Sequence, residues 1–195
     1  MEKTPEKMSK HSDADLVRLS LENEDNFLYL MKRYEKKLIG YIMKISNFNI
    51  DEAEDVLQEV FIKVYKNLHG FDESLSFSAW IYRITRNETI THFRKNKVYY
   101  NNLTQEENEF FLNGLVSDSD VEERIDRDYL KNNINKILEK LDGKYREALV
   151  LKFLEEKDYR EISDILQKPM GSVATLISRG KRQFYKEFKK SKIKI

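Results

Sequence analysis

The chain has 195 residues, with 35 Lys and Arg against 34 Asp and Glu, three His and no Cys. That length suits one domain or two small ones, and the lack of Cys excludes disulfides, thiolate nucleophiles and Cys-ligated zinc. Eleven Phe and eleven Tyr supply a core, whereas six Gly and two Pro are too few for the turns of a β sandwich, so an all-α fold is expected. Residues 1–7 carry no apolar run, so no signal peptide is expected. No stretch approaches the roughly 18–20 apolar residues of a membrane span. A cytoplasmic chain with no direct membrane insertion is therefore expected.

The net charge of +1 hides alternating blocks. Asp51–Glu59 holds five acids and no base, and Arg83–Lys97 five bases and one acid. Val98–Asp128 holds nine acids and two bases, and Lys168–Ile195 nine bases and one acid. Such segregation suits separate surfaces for separate partners, or solvated helix faces flanking an acidic stretch.

Ser12 is positioned to cap a first helix near 13–21. Phe27, Met31, Tyr34, Leu38, Tyr41, Ile42 and Ile45 recur every three or four residues, predicting a long amphipathic helix that ends before Asn47-Phe48-Asn49-Ile50. The next helix is expected over about 51–68. Ala53, Val56, Leu57, Val60, Val64 and Leu68 share its inner face, and Asp55, Gln58, Glu59 and Ile62 its outer face. One exposed Ile is ordinary, but an Ile framed by acids and Gln also suits a docking patch, and the residues alone leave both open.

A turn at 68–72 precedes a helix expected over about 76–97. Phe77, Trp80, Ile81 and Ile84 face inward. Arg83, Arg86, Asn87, Ile90, Arg94 and Lys97 form the opposing stripe, and the apolar pattern weakens after Ile84. Residues 98–121 lose periodicity and read as an acidic flexible linker, with Phe110, Phe111 and Leu112 as a possible apolar anchor. A second domain is expected over 122–190, with Ile134, Ile137, Leu138 and Leu141 on one helix. Another helix is expected over 144–154 with Ala148, Leu149, Leu151 and Leu154 inside, then a helix over 158–166. After Pro169 and Gly171, Ser172 is expected to cap the last helix, of about sixteen residues, ending at Lys189-Lys190.

The last two helices have helix-turn-helix spacing. Val173, Ile177, Gly180 and Phe184 share one face of the final helix. Thr175, Ser178 and Arg182 lie opposite, flanked by Arg179 and Lys181. Hydroxyls and guanidinium groups can contact base edges while Lys and Arg neutralise phosphates. A plain helical hairpin with a basic face has the same pattern, and the basic tail favours DNA binding. His69 and His92 lack a third convergent ligand, so no metal is expected. No cofactor site and no catalytic acid/base cluster can be assembled.

Ala53-Glu54-Asp55-Val56-Leu57-Gln58-Glu59-Val60-Phe61 followed by Phe77-Ser78-Ala79-Trp80-Ile81-Tyr82-Arg83-Ile84-Thr85-Arg86-Asn87 resembles the second domain of bacterial sigma factors of the sigma-70 superfamily. The similarity is strongest to the extracytoplasmic-function (ECF) group. Leu141–Ala148, Tyr159–Ile162 and the last helix resemble their fourth domain. The resemblance covers about 24–97 and 130–188, and the missing third domain distinguishes that group.

The resemblance implies a non-enzymatic promoter-specificity subunit: 13–97 would bind core RNA polymerase and the promoter −10 element, and 122–190 the −35 element. It implies that Asp55, Gln58, Glu59 and Ile62 dock the clamp helices of the polymerase's largest subunit. Asn67, His69, Phe71, Arg83, Arg86, Asn87 and Arg94 would then hold separated −10 DNA, and Ser172, Thr175, Ser178, Arg179, Lys181 and Arg182 the −35 element. It further implies contact with the polymerase β flap and control by an anti-sigma factor. Ala174 and Leu176 stand where basic residues are common in the family, and Thr91 where Asp is usual. The rival readings are a one-component DNA-binding regulator and a carboxylate-rich helical hydrolase.

Overall fold

The computed structural model describes residues 11–100 and 133–191, with side chains to residue 95 in the first stretch. Residues 98–100, expected to open the linker, continue the helix that starts at Phe77; the rest of the acidic segment, with Phe110, Phe111 and Leu112, and the side chain of Lys97 lie outside the described residues. Among the described residues all regular structure is helical, and no helix is long and apolar enough to cross a membrane.

The N-terminal domain is four helices: α1 (Asp13–Glu22), α2 (Phe27–Ile45), α3 (Ile50–Asn67) and α4 (Phe77–Tyr100). Local chemistry sets their starts. Ser12 Oγ accepts from the Asp15 N–H at 3.1 Å while the Asp15 carboxylate accepts from the Ser12 N–H at 3.2 Å. Asn49 and Glu52 repeat this reciprocal cap before α3 at 2.9 and 3.0 Å. Packing then sets orientation. α3 buries Ala53, Val56, Leu57, Val60, Phe61 and Val64. At roughly 1.5–3 kcal/mol per large apolar side chain removed from water, no rotation that buried the acids instead would be tolerated.

α4 buries Phe77, Ala79, Ile81 and Tyr82, then continues into the interior with Thr85 and Thr89. Their hydroxyls donate to the carbonyls of Ile81 and Thr85, both at 2.8 Å, which satisfies them without solvent. The apolar pattern therefore fades after Ile84 although burial does not.

The C-terminal domain is α5, described over 133–139, then α6 (Gly143–Leu149), α7 (Tyr159–Leu166) and α8 (Met170–Lys190). α6 runs on into one π turn, Val150–Leu154, closed by the Glu155 N–H on the Val150 carbonyl at 3.0 Å. Leu154, expected inside, is exposed: the wider turn advances fewer degrees per residue and leaves it short of the core-facing position. Asp158 caps α7 with Glu161 as its reciprocal partner. Gln167 ends α7 in the left-handed region at φ 52°. The last helix begins three residues earlier than expected: Pro169 is its N-cap, and Ser172 lies in the first turn, capping nothing. Pro169 cannot extend α7, but its carbonyl accepts from the Ser172 and Val173 N–H groups and starts α8 there. α8 buries Val173, Ile177 and Gly180 against α6.

The two domains pack directly on one another. α4 lies against α7, and α2 against α6 and the π turn.

Candidate nucleic-acid and docking surfaces

On α3 the buried face fixes what remains outside. Asp55, Gln58, Glu59 and Ile62 are all exposed, with 46% of Ile62 open to solvent. Tyr65, one turn further on, and Leu28 on α2 are also large apolar groups in solvent. The Tyr65 ring rests 5.3 Å from Phe27, and its hydroxyl donates to the Glu24 carboxylate. The sequence reading missed Tyr65 and Leu28; the three-residue spacing of Ile62 and Tyr65 was the available signal.

The face between α3 and α4 holds an open cleft of about 330 Å³, lined by Lys63, Asn67, Gly70, Trp80, Ile84, Asn87 and Glu88. Lys63 Nζ and a Glu88 carboxylate oxygen pair across it at 2.7 Å. Trp80 is half-buried and packs on Phe71 and Phe77 at 5.0 and 5.7 Å between ring centroids. Phe71 is itself half-buried, backed by Phe77 at 5.4 Å. The cleft thus joins an aromatic wall to amide and charged groups, which suits a nucleobase. Asn67 contributes, although its Nδ2 already donates to the Lys63 carbonyl at 2.7 Å. His69 is exposed on the neighbouring 3-10 turn. Lys63 and Glu88 were also missed: a lone acid inside a basic block, Glu88, was the signal.

The stripe expected along α4 divides in two. Arg83, Asn87 and Arg94 are at least partly open. Arg86 turns away from them: its Nε donates to Glu147 Oε1 of α6 at 2.7 Å, and it is mostly buried. Its expected role as a free cation beside Asn87 does not hold for the chain in this conformation. Helical phase places Arg86 with Ser78 and Tyr82, eight and four residues back, on the face that meets the C-terminal domain.

On α8 the expected face is intact. Ser172, Thr175, Ser178, Arg179, Lys181 and Arg182 are exposed, and among the described residues Arg179, Lys181 and Arg182 form no ion pair. Thr175 Oγ1 donates to the Gly171 carbonyl at 2.9 Å, so towards a ligand it can only accept. Leu176, one of the departures from the family pattern, is partly buried against the core, whereas Ala174 is exposed. Phe153, 55% exposed in the π turn, and Leu154 beside it form a further apolar surface. Among the described residues, no group of three or more His, Asp or Glu is placed to hold a metal ion.

Comparison with known proteins finds two family models that match separate parts of the chain. The family model for Sigma-70 region 2 matches residues 30–98, and that for Sigma-70, region 4 matches 131–184. The chain is 34% identical to the ECF RNA polymerase sigma factor SigW of Bacillus subtilis over 86% of its own length and 91% of that relative. It is 30% identical to the RNA polymerase sigma-H factor of Pseudomonas aeruginosa over 89% and 92% of the two chains. The fold is shared with CnrH, solved in complex with the cytosolic domain of CnrY, at a TM-score of 0.68 and 19% identity, covering 93% of this chain and 99% of that one. It is also shared with the sigma factor RpoE of Bartonella quintana, solved with the anti-sigma factor NepR, at a TM-score of 0.67 and 20% identity, covering 86% and 99%.

Proposed function

Because the chain belongs to the ECF group of the sigma-70 family, and so serves transcription initiation, we propose that it docks core RNA polymerase through α3 and reads two promoter elements with α4 and α8. The observation that carries the docking surface is Ile62, a large apolar side chain held in solvent at the centre of Asp55, Gln58 and Glu59 by a helix whose other face is fully buried. An apolar centre supplies desolvated contact and the acids supply complementarity to a basic partner.

The domains are 13–100 and 122–190, with the acidic segment from 101 to 121 as the tether between them. Strand separation costs a few kcal/mol per unstacked step. The cleft at Trp80 and Asn87 offsets part of that cost by holding an extruded base, with His69 and Phe71 at its rim and Arg83 and Arg94 on the displaced backbone. Ser172, Thr175, Ser178, Arg179, Lys181 and Arg182 face the −35 major groove. Phe153 and Leu154 are the surface for the polymerase β flap. The chain does no bond chemistry of its own, requires no cofactor, and acts in the cytoplasm, where polymerase works. The relatives solved with CnrY and NepR support an anti-sigma protein as a further partner.

Transcription from a candidate promoter by purified core polymerase, with and without this chain, tests the reading. Initiation that depends on the chain is expected. Specific duplex binding by the chain without any effect on polymerase would replace it with a one-component regulator.

A further inference from the structure

The outer face of α8 is longer than a DNA groove is wide, and its chemistry changes along its length. At about 100° per residue, Gly171, Ala174, Arg182, Tyr185 and Lys189 fall within about 40° of Ser178, on one stripe. All of them are exposed, while Val173, Ile177 and Gly180 bury the other side of the helix. Side chains on the stripe lengthen from the start of α8 to its end: a hydrogen, a methyl and a hydroxymethyl, then a guanidinium, a phenol and an ammonium. Gly171 to Ser178 spans about 10 Å at roughly 1.5 Å per residue, inside the roughly 12 Å width of a major groove. Tyr185 lies about 10 Å beyond Ser178, and Lys189 about 16 Å beyond it. A straight helix whose first turns are seated against base edges therefore carries Tyr185 and Lys189 past the rim of the groove, where the phosphates are. Helical side chains lean towards the N-terminus, so both reach back towards that rim.

The local chemistry fits a phosphodiester. Lys189 Nζ stands 4.7 Å from the centre of the Tyr185 ring, one turn back. That contact holds the ammonium beside the phenol and reduces the rotamer freedom lost on binding. Tyr185 is 58% exposed. Among the described residues neither its hydroxyl nor the Lys189 ammonium has a hydrogen-bond or ion-pair partner. Glu187, the one acid among nine bases over 168–195, lies on the opposite side of α8 and pairs with Lys190 at 2.6 Å. The stripe therefore carries positive charge that no neighbouring carboxylate neutralises.

We propose that Tyr185 and Lys189 form a phosphate anchor that binds the DNA backbone flanking the −35 element. The anchor deepens the reading of α8 as the −35 helix and rests on it. It positions the helix and does not specify sequence: a phenol and an ammonium donate to phosphate oxygens beside any base pair. Their grip sets how deeply the short side chains at Gly171, Ala174 and Ser178 are seated.

The test measures binding of a promoter duplex by the full chain assembled with core polymerase, at several salt concentrations. Lys189→Ala is compared with Lys190→Ala, which removes the same charge one residue away and off the stripe. Lys189→Ala should bind roughly fivefold more weakly and lower the slope of log affinity against log salt by about 0.9. Lys190→Ala should do neither. Tyr185→Phe, which keeps the ring beside Lys189, should weaken binding and leave the slope unchanged. Duplexes carrying a single neutral methylphosphonate beside the −35 element then locate the contact: one replacement should weaken wild type and cost Lys189→Ala nothing further. Equal behaviour of Lys189→Ala and Lys190→Ala would overturn the anchor, as would the lack of any phosphate whose effect disappears in Lys189→Ala. A loss confined to assembly with core polymerase would also overturn it and make an acidic protein surface the partner. If wild type does not prefer the promoter over a scrambled duplex, the reading of α8 as the −35 helix fails, and the salt slopes of the two lysine variants on the scrambled duplex decide the anchor.

Discussion

Gly180 of α8 lies so close to Leu149 of α6 that a β-carbon at 180 would stand 3.1 Å from Leu149 Cγ and 3.3 Å from both of its methyl carbons. This contact sets how the outer face of α8 is presented, because the helix rests on α6 along Val173, Ile177 and Gly180. Gly180→Val forces branched methyls into Leu149 and should destabilise the C-terminal domain by about 1–3 kcal/mol. Urea unfolding followed by helical circular dichroism measures it. A midpoint equal to wild type would mean that α6 yields at no cost.

Ile62→Asp should abolish association with core polymerase while leaving the fold unchanged, because the side chain points into solvent. Gel filtration of the mixture reads binding, and thermal unfolding reads the fold. Co-elution of the variant with core enzyme would remove α3 from the docking surface.

Arg182→Ala should weaken −35 duplex binding by roughly 1–3 kcal/mol if Arg182 makes a bidentate base contact. Lys181→Ala should act differently. As a phosphate contact, its loss should lower the slope of log affinity against log salt by about 0.9 without changing sequence preference. Titrations of cognate and scrambled duplexes at several salt concentrations separate the two roles.

Asp158→Ala removes the reciprocal cap at the start of α7, where Asp158 Oδ1 accepts from the Glu161 N–H at 2.8 Å. A loss of about 1 kcal/mol is expected, read as a lower unfolding midpoint of the C-terminal domain. An unchanged midpoint would assign the start of α7 to packing alone.

Asp15 gives a pH dependence with a defined sign. The Ser12 hydroxyl and then its N–H hydrogen-bond the carboxylate and hold it below its ordinary value of 3.8. Folding therefore favours the charged form: the contribution is complete above the ordinary carboxylate value and is lost as pH falls through the lowered one. Amide exchange in α1, corrected for intrinsic rates, should accelerate across that acidic window. Asp15→Asn should show no such step.

Much of this molecule was legible residue by residue. The periodicity of Ala53, Val56, Leu57, Val60 and Val64 identified the buried side of α3 and thereby left Asp55, Gln58, Glu59 and Ile62 outside, as found. The same logic oriented α8. Ser12 carried the start of its helix because a cap acts within one turn. Where a local feature was misread, a second local feature had overridden it: Pro169 displaced Ser172 as the start of α8, and the π turn rotated Leu154 outward.

The amino-acid order by itself determined which elements form and which side of each is apolar, because both depend on neighbours three or four positions away. Only the tertiary structure decided the fate of the polar groups. Thr85 and Thr89 went inside, Lys63 met Glu88 across the cleft, and Arg86 left the basic stripe for Glu147, 61 residues away. Tyr82 found Glu155 across 73 positions and Tyr41 found Glu147 across 106. Helical periodicity states that a side chain faces a neighbour, but the partner that satisfies its charge or hydroxyl is chosen by which distant helix arrives there.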